Sequence, residues 1–246
     1  DPFMKKTLPP QPVALITGSA GGLGAFLART LAQMGYAIVL HHRSGASATL
    51  RLARQLRQHG TPTEVVRADL SIPTQVDRLI RRIHQRFGRL DLLLNNAGTY
   101  RPTPLLRTLP ADWFAGLHST ATAVFLLTRA ALPLFPKKGG RIINLGDAAA
   151  DRLSARRLAP GYHVGKTGVT LLTRSFAAQL IRRHITVNLI SPGYLENSID
   201  LPPLHTLPSG RAIRFTEVAA ALRYLLSPEA AQVTGTNLIL SGGWNL

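Results

Sequence analysis

The stretch Val13-Ala14-Leu15-Ile16-Thr17-Gly18-Ser19-Ala20-Gly21-Gly22-Leu23-Gly24 decides the fold of this chain. Its first four residues form the apolar run of a buried parallel strand, and a helical pattern follows the glycines until Gly35. Between strand and helix, Gly18 permits a tight turn, Gly22 lets the backbone approach a pyrophosphate, and Gly24 lets the helix pack closely on the strand. The stretch therefore predicts a dinucleotide-binding turn.

Strand-like and helix-like patterns alternate along the rest of the chain. Short apolar runs predict strands at Ala14–Thr17, Ala37–His41, Glu64–Arg67, Leu90–Asn95, Gly140–Leu145, Thr186–Ile190 and Asn237–Leu240. Amphipathic runs predict helices near Gly22–Met34, Ala46–His59, Thr74–Phe87, Pro110–Leu134, Gly161–Arg183 and Thr216–Leu226. With right-handed crossovers, this order predicts an α/β fold with a doubly wound parallel sheet of Rossmann type.

The length of 246 residues predicts a single Rossmann-type domain over residues 4–246. The first three residues, Asp1 to Phe3, precede Met4 and are expected to be a remnant of cloning. A proline-rich stretch, 201–210, interrupts the alternation after the sixth predicted strand. Because ligands bind beyond the carboxyl ends of parallel strands, we expect a substrate lid near 194–214.

The composition limits the function classes. A formal net charge of +17 raises the question of nucleic acid, but the basic residues are dispersed and no aromatic residues are interleaved with them. We therefore expect no nucleic-acid partner, and we expect the charge to attract anionic ligands. The absence of cysteine excludes disulfides, thiolate metal sites and a cysteine nucleophile, and no metal site is predicted.

The same composition bears on localisation. No apolar run approaches the roughly 20 residues of a membrane span, and the N-terminus lacks the hydrophobic core of a signal peptide. A cysteine-free chain also fits a reducing compartment. We expect a cytoplasmic protein that does not associate with a membrane.

The second predicted strand ends in His41-His42-Arg43-Ser44. NAD enzymes usually place an acidic residue here for the ribose 2′-hydroxyl, whereas an arginine suits a 2′-phosphate. No acidic residue is present, and Arg43 and Ser44 offer a charged fork and a hydroxyl to phosphate oxygens. The cofactor is predicted to be NADPH.

Tyr162 and Lys166 are four residues apart in a predicted helix, so they share one helix face. An ammonium beneath a phenol is expected to lower the pKa of that phenol. The pair therefore predicts a general acid that works near neutral pH.

With these motifs in order, nearly the whole chain resembles the short-chain dehydrogenase/reductase family. The matching motifs are Thr17-Gly18-x-x-x-Gly22-x-Gly24, Ala68-Asp69-Leu70, Asn95-Asn96-Ala97-Gly98, Tyr162-x-x-x-Lys166 and Ser191-Pro192-Gly193. By this resemblance Asp69 contacts adenine, Asn95 and Ala97 line the cofactor site, and Lys166 also binds the nicotinamide ribose. The resemblance also implies a homotetramer built through the helices that contain Thr120 and Tyr162.

The sequence and the resemblance together give an expected set of cofactor-binding residues. They are Gly18, Ser19, Gly22, Leu23, Gly24, His42, Arg43, Ser44, Asp69, Leu70, Asn95, Ala97, Gly98, Tyr162, Lys166, Pro192 and Gly193.

Two positions depart from the family pattern. Asp147 stands where the family has its catalytic serine, and Thr120 stands where it has a helix asparagine that relays to the lysine. A serine donates a hydrogen bond to a ketone oxygen, whereas an ionised aspartate only accepts. An acceptor suits a substrate with N–H donors, such as a pterin. Asp147 is also open to a second interpretation, as a helix-capping or loop residue.

The subgroup that the chain most resembles is the pteridine reductases. They share an aspartate before Tyr162, the His42-Arg43-Ser44 end of the second strand, and a segment like 95–106. They differ in carrying a basic residue in the glycine turn, where this chain has Gly21-Gly22. By this resemblance Tyr100 stacks the pterin on the nicotinamide. The predicted substrate-binding residues are Tyr100, Asp147, Tyr162 and Tyr194.

We therefore expect an NADPH-dependent oxidoreductase that reduces a pterin-like C=N bond, with a pterin or folate as its small-molecule substrate. The predicted catalytic residues are Asp147, Tyr162 and Lys166. One alternative is a carbonyl or 3-oxoacyl reductase. An alternative of another class is a dinucleotide-binding regulatory protein that has lost catalysis, because the serine and the asparagine are both replaced.

Overall fold

The structure, a computed structural model, describes residues 11–245, so the expected cloning remnant lies outside the described residues. Seven parallel strands form one sheet in the order β3-β2-β1-β4-β5-β6-β7. The strands are β1 Val13–Ile16, β2 Ala37–His42, β3 Thr63–Arg67, β4 Leu92–Asn95, β5 Gly140–Leu145, β6 Ile185–Pro192 and β7 Asn237–Leu240. The predicted doubly wound sheet is confirmed, and its order reverses between β1 and β4, where such sheets bind ligands.

Helices cover both faces of the sheet. They are α1 Gly22–Gln33, α2 Ala46–Gln58, α3 Pro73–Phe87, α4 Pro110–Leu117, α5 Ala123–Ala131, α6 Pro160–Leu180 and α7 Phe215–Leu226. One buried core joins the sheet to α1, α2 and α7, and the other joins it to α3, α5 and α6. Strand β1 serves both cores, because Val13 and Leu15 face one and Ala14 and Ile16 face the other. Within residues 11–245, no helix is long and apolar enough to cross a membrane.

The predicted helix Pro110–Leu134 is helical over its whole length, but its hydrogen-bond pattern changes along the chain. Between α4 and α5 the chain forms a π-turn at His118–Thr122, and a short 3₁₀ turn follows α5. In the π-turn the Thr120 hydroxyl donates to the Gly116 carbonyl over 2.7 Å, a local bond of the kind that bends helices. Such turns are frequent at functional sites, and this one lies beside α6.

The segment predicted as a lid, 194–214, runs from the end of β6 to the start of α7. Its ends pair with each other, since Ile213 N–H donates to the Tyr194 carbonyl over 2.8 Å and Glu196 N–H donates to the Ile213 carbonyl over 3.0 Å. Between them lies a short 3₁₀ helix at Leu204–Thr206. The segment forms one wall of the cleft described below. That it opens and closes stays a prediction.

Candidate active site

The glycine turn has the backbone geometry that its sequence predicts. Gly18 has a φ of 65°, and a Cβ placed there would lie 2.9 Å from the Ala97 Cα. Gly22 has a φ of 53°, and a Cβ at Gly24 would lie 2.4 Å from the Gly18 carbonyl oxygen. These positions exclude a side chain because the turn, β4 and α1 approach one another closely.

His41 holds this turn from beneath, a role that the sequence analysis missed. Gly18 N–H donates to His41 Nδ1 over 3.3 Å, and His41 Nε2 lies 3.0 Å from the Ala68 carbonyl oxygen. Burial lowers the pKa of His41 to about 4, so the ring is neutral, accepts at Nδ1 and donates at Nε2. Ser19 is buried too, and its hydroxyl bonds the His41 carbonyl. The signal for this role was a histidine inside an otherwise apolar strand.

A cleft of about 250 Å³ opens beside the turn. Its lining includes Gly18, Ala97, Gly98, Asp69 and Leu70 among the predicted cofactor-binding residues, together with three residues at the end of β2, which are His42, Arg43 and Ser44. Arg43 and Ser44 are exposed at the rim, whereas His42 is buried and its Nδ1 has no hydrogen-bond partner among the described residues. A glycine cradle, an exposed guanidinium and an exposed hydroxyl fit a phosphorylated dinucleotide such as NADPH.

The Asn95 side chain lies in the interior and does not reach the cofactor cleft. The Asn95 amide donates to Asn144 Oδ1 over 2.8 Å, and Asn144 in turn donates to the Thr173 hydroxyl. The next residue, Asn96, lines the cofactor cleft instead, and its amide donates to the Thr17 carbonyl over 2.9 Å. Because successive strand residues point to opposite faces, one position separates the two roles.

Other predicted cofactor residues lie elsewhere around the turn. Gly22 is exposed at the start of α1, whereas Leu23, Pro192 and Gly193 line a second and larger cleft of about 560 Å³. This cleft continues from the first past Gly98 and Asn96, which line both. The two clefts together therefore provide one path from the adenine end of a dinucleotide to the reaction site.

The second cleft brings Tyr162, Lys166 and Asp147 together. The Lys166 ammonium is buried, donates to the Leu145 carbonyl over 2.6 Å, and lies 5.4 Å from the centroid of the Tyr162 ring. Burial lowers the pKa of Lys166 to about 8. The three predicted catalytic side chains thus share one site, although Asp147 follows β5 and the other two lie on α6.

The expected lowering of the Tyr162 pKa is wrong in this structure. Burial of the phenol, with the charge of Asp147 as the next cause, raises the pKa of Tyr162 well above its ordinary value. The desolvation cost outweighs an ammonium that is bonded to a carbonyl rather than to the phenol oxygen. The phenol is consequently held in its protonated form, which is the form that a general acid needs.

Asp147 combines a local role with a position in the cleft. Its Oδ1 accepts from Ala149 N–H over 2.8 Å and caps the short 3₁₀ helix Ala148–Ala150, while Oδ2 lies 3.7 Å from His163 Nδ1. Burial lowers the pKa of His163, which favours its neutral form. The capping interpretation is therefore correct for one oxygen, and the other oxygen faces the site.

Aromatic rings form the remaining wall of the second cleft. The Tyr100 ring lies edge-on to the Tyr162 ring with 5.1 Å between centroids, and its hydroxyl donates to Asp200 Oδ2 over 2.6 Å. Tyr194 packs edge-on against Trp244 with 4.8 Å between centroids. The sequence analysis missed Asp200 and Trp244, because no local pattern marks either residue.

Thr120 does not reproduce the relay expected of an asparagine. Its hydroxyl is used in bonds to the Gly116 and Leu117 carbonyls. Its methyl carbon, the Tyr162 ring and the Lys166 ammonium all surround Gly98, at 3.7, 3.6 and 3.8 Å from the position that a Cβ there would take. Lys166 instead uses the Leu145 carbonyl directly.

A dinucleotide turn, a protonated phenol and a buried lysine at the switch point of a parallel sheet define a nicotinamide-dependent oxidoreductase. This chain belongs to the short-chain dehydrogenase/reductase family. A family model described as enoyl-(acyl carrier protein) reductase matches residues 18–245.

Curated relatives and solved structures agree with this family. A 3-oxoacyl-[acyl-carrier-protein] reductase from Synechocystis is 34% identical over 94% of this chain and 96% of the relative. The one from Vibrio cholerae is 31% identical over the same shares. A blue fluorescent protein from a metagenomic library, in complex with NADPH, aligns with a TM-score of 0.88 and 28% identity over 96% of this chain and 98% of that chain. A gluconate 5-dehydrogenase from Burkholderia cenocepacia, in complex with NADP and tartrate, aligns with a TM-score of 0.86 and 32% identity over 94% of each chain.

These comparisons favour one expectation over another. The two curated relatives are named for 3-oxoacyl reduction, which matches the alternative of a carbonyl or 3-oxoacyl reductase better than it matches pterin reduction. The solved complexes with NADPH and NADP agree with the expected cofactor class.

Proposed function

We propose that this chain is an NADPH-dependent reductase whose substrate presents N–H donors beside a reducible C=N bond, as a pterin does. The observation that carries this proposal is the carboxylate of Asp147 in the catalytic cleft, at the position where a serine hydroxyl is expected. Its Oδ2 has no hydrogen-bond donor among the described residues and lies in the same cleft as Tyr162. An acceptor in this place holds a substrate N–H and repels a bare carbonyl oxygen.

The residues divide the chemistry among them. Bound NADPH supplies a hydride to the carbon of the C=N bond. The Tyr162 phenol, held protonated by burial, donates its proton to the substrate nitrogen. The Lys166 ammonium stabilises the phenolate that remains, and Asp147 orients the substrate by accepting from its N–H groups.

The choice of NADPH rests on the end of β2. Arg43 and Ser44 stand exposed at the rim of the first cleft, and the His42 imidazole lies beside them. This group offers positive charge and hydrogen-bond donors to a 2′-phosphate. The only carboxylate in the lining of that cleft, Asp69, already accepts from Ser71 N–H over 2.9 Å and from its hydroxyl over 2.7 Å.

A second candidate function is the reduction of a 3-oxoacyl or other carbonyl group. The similarity to 3-oxoacyl reductases supports it, and the aliphatic residues Leu195 and Ile199 in the cleft suit an acyl chain. In this candidate Tyr162 alone donates to the carbonyl oxygen. Asp147 is then confined to capping the 3₁₀ helix.

A panel of substrates with NADPH separates the candidates. We expect the wild-type protein to oxidise NADPH with a dihydropterin faster than with a 3-oxoacyl thioester. Asp147→Ser is expected to lower the ratio of pterin to ketone kcat/KM by about tenfold, since it restores a donor and removes an acceptor. Asp147→Asn is the matched control, because an asparagine has the size of an aspartate and its side-chain oxygen can still accept from Ala149 N–H.

A ketone preference that Asp147→Ser does not change would select the second candidate. Tight NADPH binding without turnover of any substrate in the panel would instead indicate a regulatory dinucleotide-binding protein.

The proposed homotetramer is supported by apolar side chains on α5 and α6. Phe125, Val164 and Leu171 are 39%, 50% and 67% exposed. Exposed large apolar side chains that lie together mark interaction sites, so we expect these helix faces to be covered in an assembly. Light scattering tests the assembly, and a Leu171→Glu variant is expected to dissociate it.

A further inference from the structure

Two arginines lie on the wall of the catalytic cleft, in the segment between Asp147 and α6. Arg156 is half-buried and donates to the Ala149 carbonyl, whereas Arg157 is exposed. Burial is the main cause of the lowered pKa of His163, and the charge of Arg156 lowers it further. At Tyr194 burial raises the pKa, and the charge of Arg156 opposes that rise. The Arg156 guanidinium therefore acts on both walls of the cleft.

Neither guanidinium is neutralised by the protein. Within residues 11–245, no carboxylate lies within 4.0 Å of a nitrogen of either side chain. Of the two acids that line the cleft, Asp200 accepts from Tyr100 and one oxygen of Asp147 caps the 3₁₀ helix, and neither forms an ion pair with these arginines. An anion that enters the cleft would thus meet two unpaired guanidinium groups, which bind carboxylates and phosphates through two parallel hydrogen bonds.

The backbone beneath these arginines is held in place. Leu105 N–H donates to the Arg157 carbonyl and Ala159 N–H donates to the Thr103 carbonyl, each over 2.9 Å. An isolated antiparallel bridge joins Pro104 to Leu158 between these bonds. Because the segment is fixed before a ligand arrives, fewer degrees of freedom are lost on binding.

The charged groups of the cleft differ in burial. Lys166 is buried, Asp147 and Arg156 are half-buried, and Arg157 and Asp200 are exposed. Asp147 lies 3.7 Å from His163, the neighbour of Tyr162 in the chain, whereas Arg157 lies at the exposed rim of the cleft. This arrangement fits a substrate with proton donors at its reacting end and negative charge at the other.

We propose that Arg156 and Arg157 form an anion subsite for a carboxylate or phosphate on the part of the substrate remote from the reduced bond. The inference rests on the proposed reduction at Tyr162, but it holds for a heterocyclic or an acyl substrate. It makes the tail of the substrate, rather than the reacting group alone, a determinant of specificity.

The test compares substrates that differ mainly in their tails. The heterocyclic pair is dihydrofolate, which carries carboxylates, and dihydrobiopterin, which carries none. The acyl pair is acetoacetyl-coenzyme A, which carries phosphates, and the acetoacetyl thioester of N-acetylcysteamine, which is neutral. We expect Arg157→Glu to lower the ratio of anionic to neutral kcat/KM by at least about tenfold, through KM.

Arg152→Glu is the matched control. Arg152 is exposed on the same segment, and its replacement by glutamate changes the net charge by the same amount as Arg157→Glu. It should change the ratio by less than about twofold, since exposed charges are largely screened. Arg157→Ala should act in the same direction as Arg157→Glu with a smaller effect. The pair that responds identifies the source of the anion as a carboxylate or a phosphate tail.

If Arg157→Glu lowers kcat/KM equally for the anionic and the neutral member of both pairs, the subsite does not exist. If no substrate is turned over, the proposed function fails, and the subsite is then tested by calorimetric titration of the NADPH-loaded protein with folate. Weaker folate binding by Arg157→Glu than by Arg152→Glu would support the subsite. Equal binding by the two variants would refute it.

Discussion

The cofactor cleft and the substrate cleft of this protein are built from different kinds of groups. The first is shaped by backbone, with Gly18 and Gly24 placed where a Cβ would overlap a neighbour. The second is shaped by side chains from distant segments, such as Tyr100 and Asp200, which meet through one hydrogen bond of 2.6 Å. A turn shaped by its backbone can bind any ligand that carries a pyrophosphate. The side chains of the second cleft determine which substrate is accepted.

The largest effect should come from the substrate cleft. Tyr162→Phe removes only the proton donor, so we expect turnover to fall by a factor of about 100 or more while the Kd for NADPH changes little. Lys166→Ala should impair both turnover and NADPH binding if the ammonium also binds the nicotinamide ribose, as the family resemblance implies. Steady-state rates and NADPH titration measure the two quantities, and near-normal turnover of Tyr162→Phe would exclude the phenol as the acid.

The next effect concerns the cofactor cleft. Gly24→Ala places a Cβ 2.4 Å from the Gly18 carbonyl oxygen, whereas the same change at Gly21 meets nothing within 4 Å. We expect Gly24→Ala to lower the free energy of unfolding by about 1–3 kcal/mol and to weaken NADPH binding. Gly21→Ala is the matched control and should do neither. Equal behaviour of the two variants in thermal unfolding would contradict the close approach described for this turn.

A smaller effect separates the two nicotinamide cofactors. We expect NADPH to bind at least about tenfold more tightly than NADH, which is about 1.4 kcal/mol. Arg43→Ala should remove most of this preference, and Arg54→Ala, an exposed arginine on α2, should preserve it. The ratio of the two dissociation constants decides the matter. If Arg43→Ala still binds NADPH more tightly than NADH, a group other than Arg43 determines the preference.

The smallest effect is a pH dependence that belongs to the substrate cleft. Burial lowers the pKa of Lys166 to about 8, so the ammonium loses its proton as pH rises through that value. If the charged form supports turnover, kcat with saturating NADPH falls above pH 8 and is halved near it. The turn that binds the cofactor should not titrate there, because burial lowers the pKa of His41 to about 4. A flat profile of kcat at alkaline pH would argue against a charged Lys166 in the mechanism.

The sequence predicted the fold and the cofactor turn well, because both depend on local patterns. Apolar runs of strand length and the spacing of Gly18, Gly22 and Gly24 are properties of neighbouring residues, and each predicted strand lies within a few residues of its observed bounds. The four-residue spacing of Tyr162 and Lys166 is local in the same sense. It placed both side chains in one cleft.

Tertiary structure decided the remaining features. Asn96 lines the cleft while its neighbour Asn95 binds Asn144, and only the register of β4 against β5 determines which residue faces which side. The pKa of Tyr162 rises because desolvation by the packed cleft exceeds the effect of a nearby ammonium, and burial cannot be read from spacing. The contacts of Tyr100 with Asp200 and of Tyr194 with Trp244 join residues far apart in the chain, so they arise only when the folded sheet brings their loops to one edge.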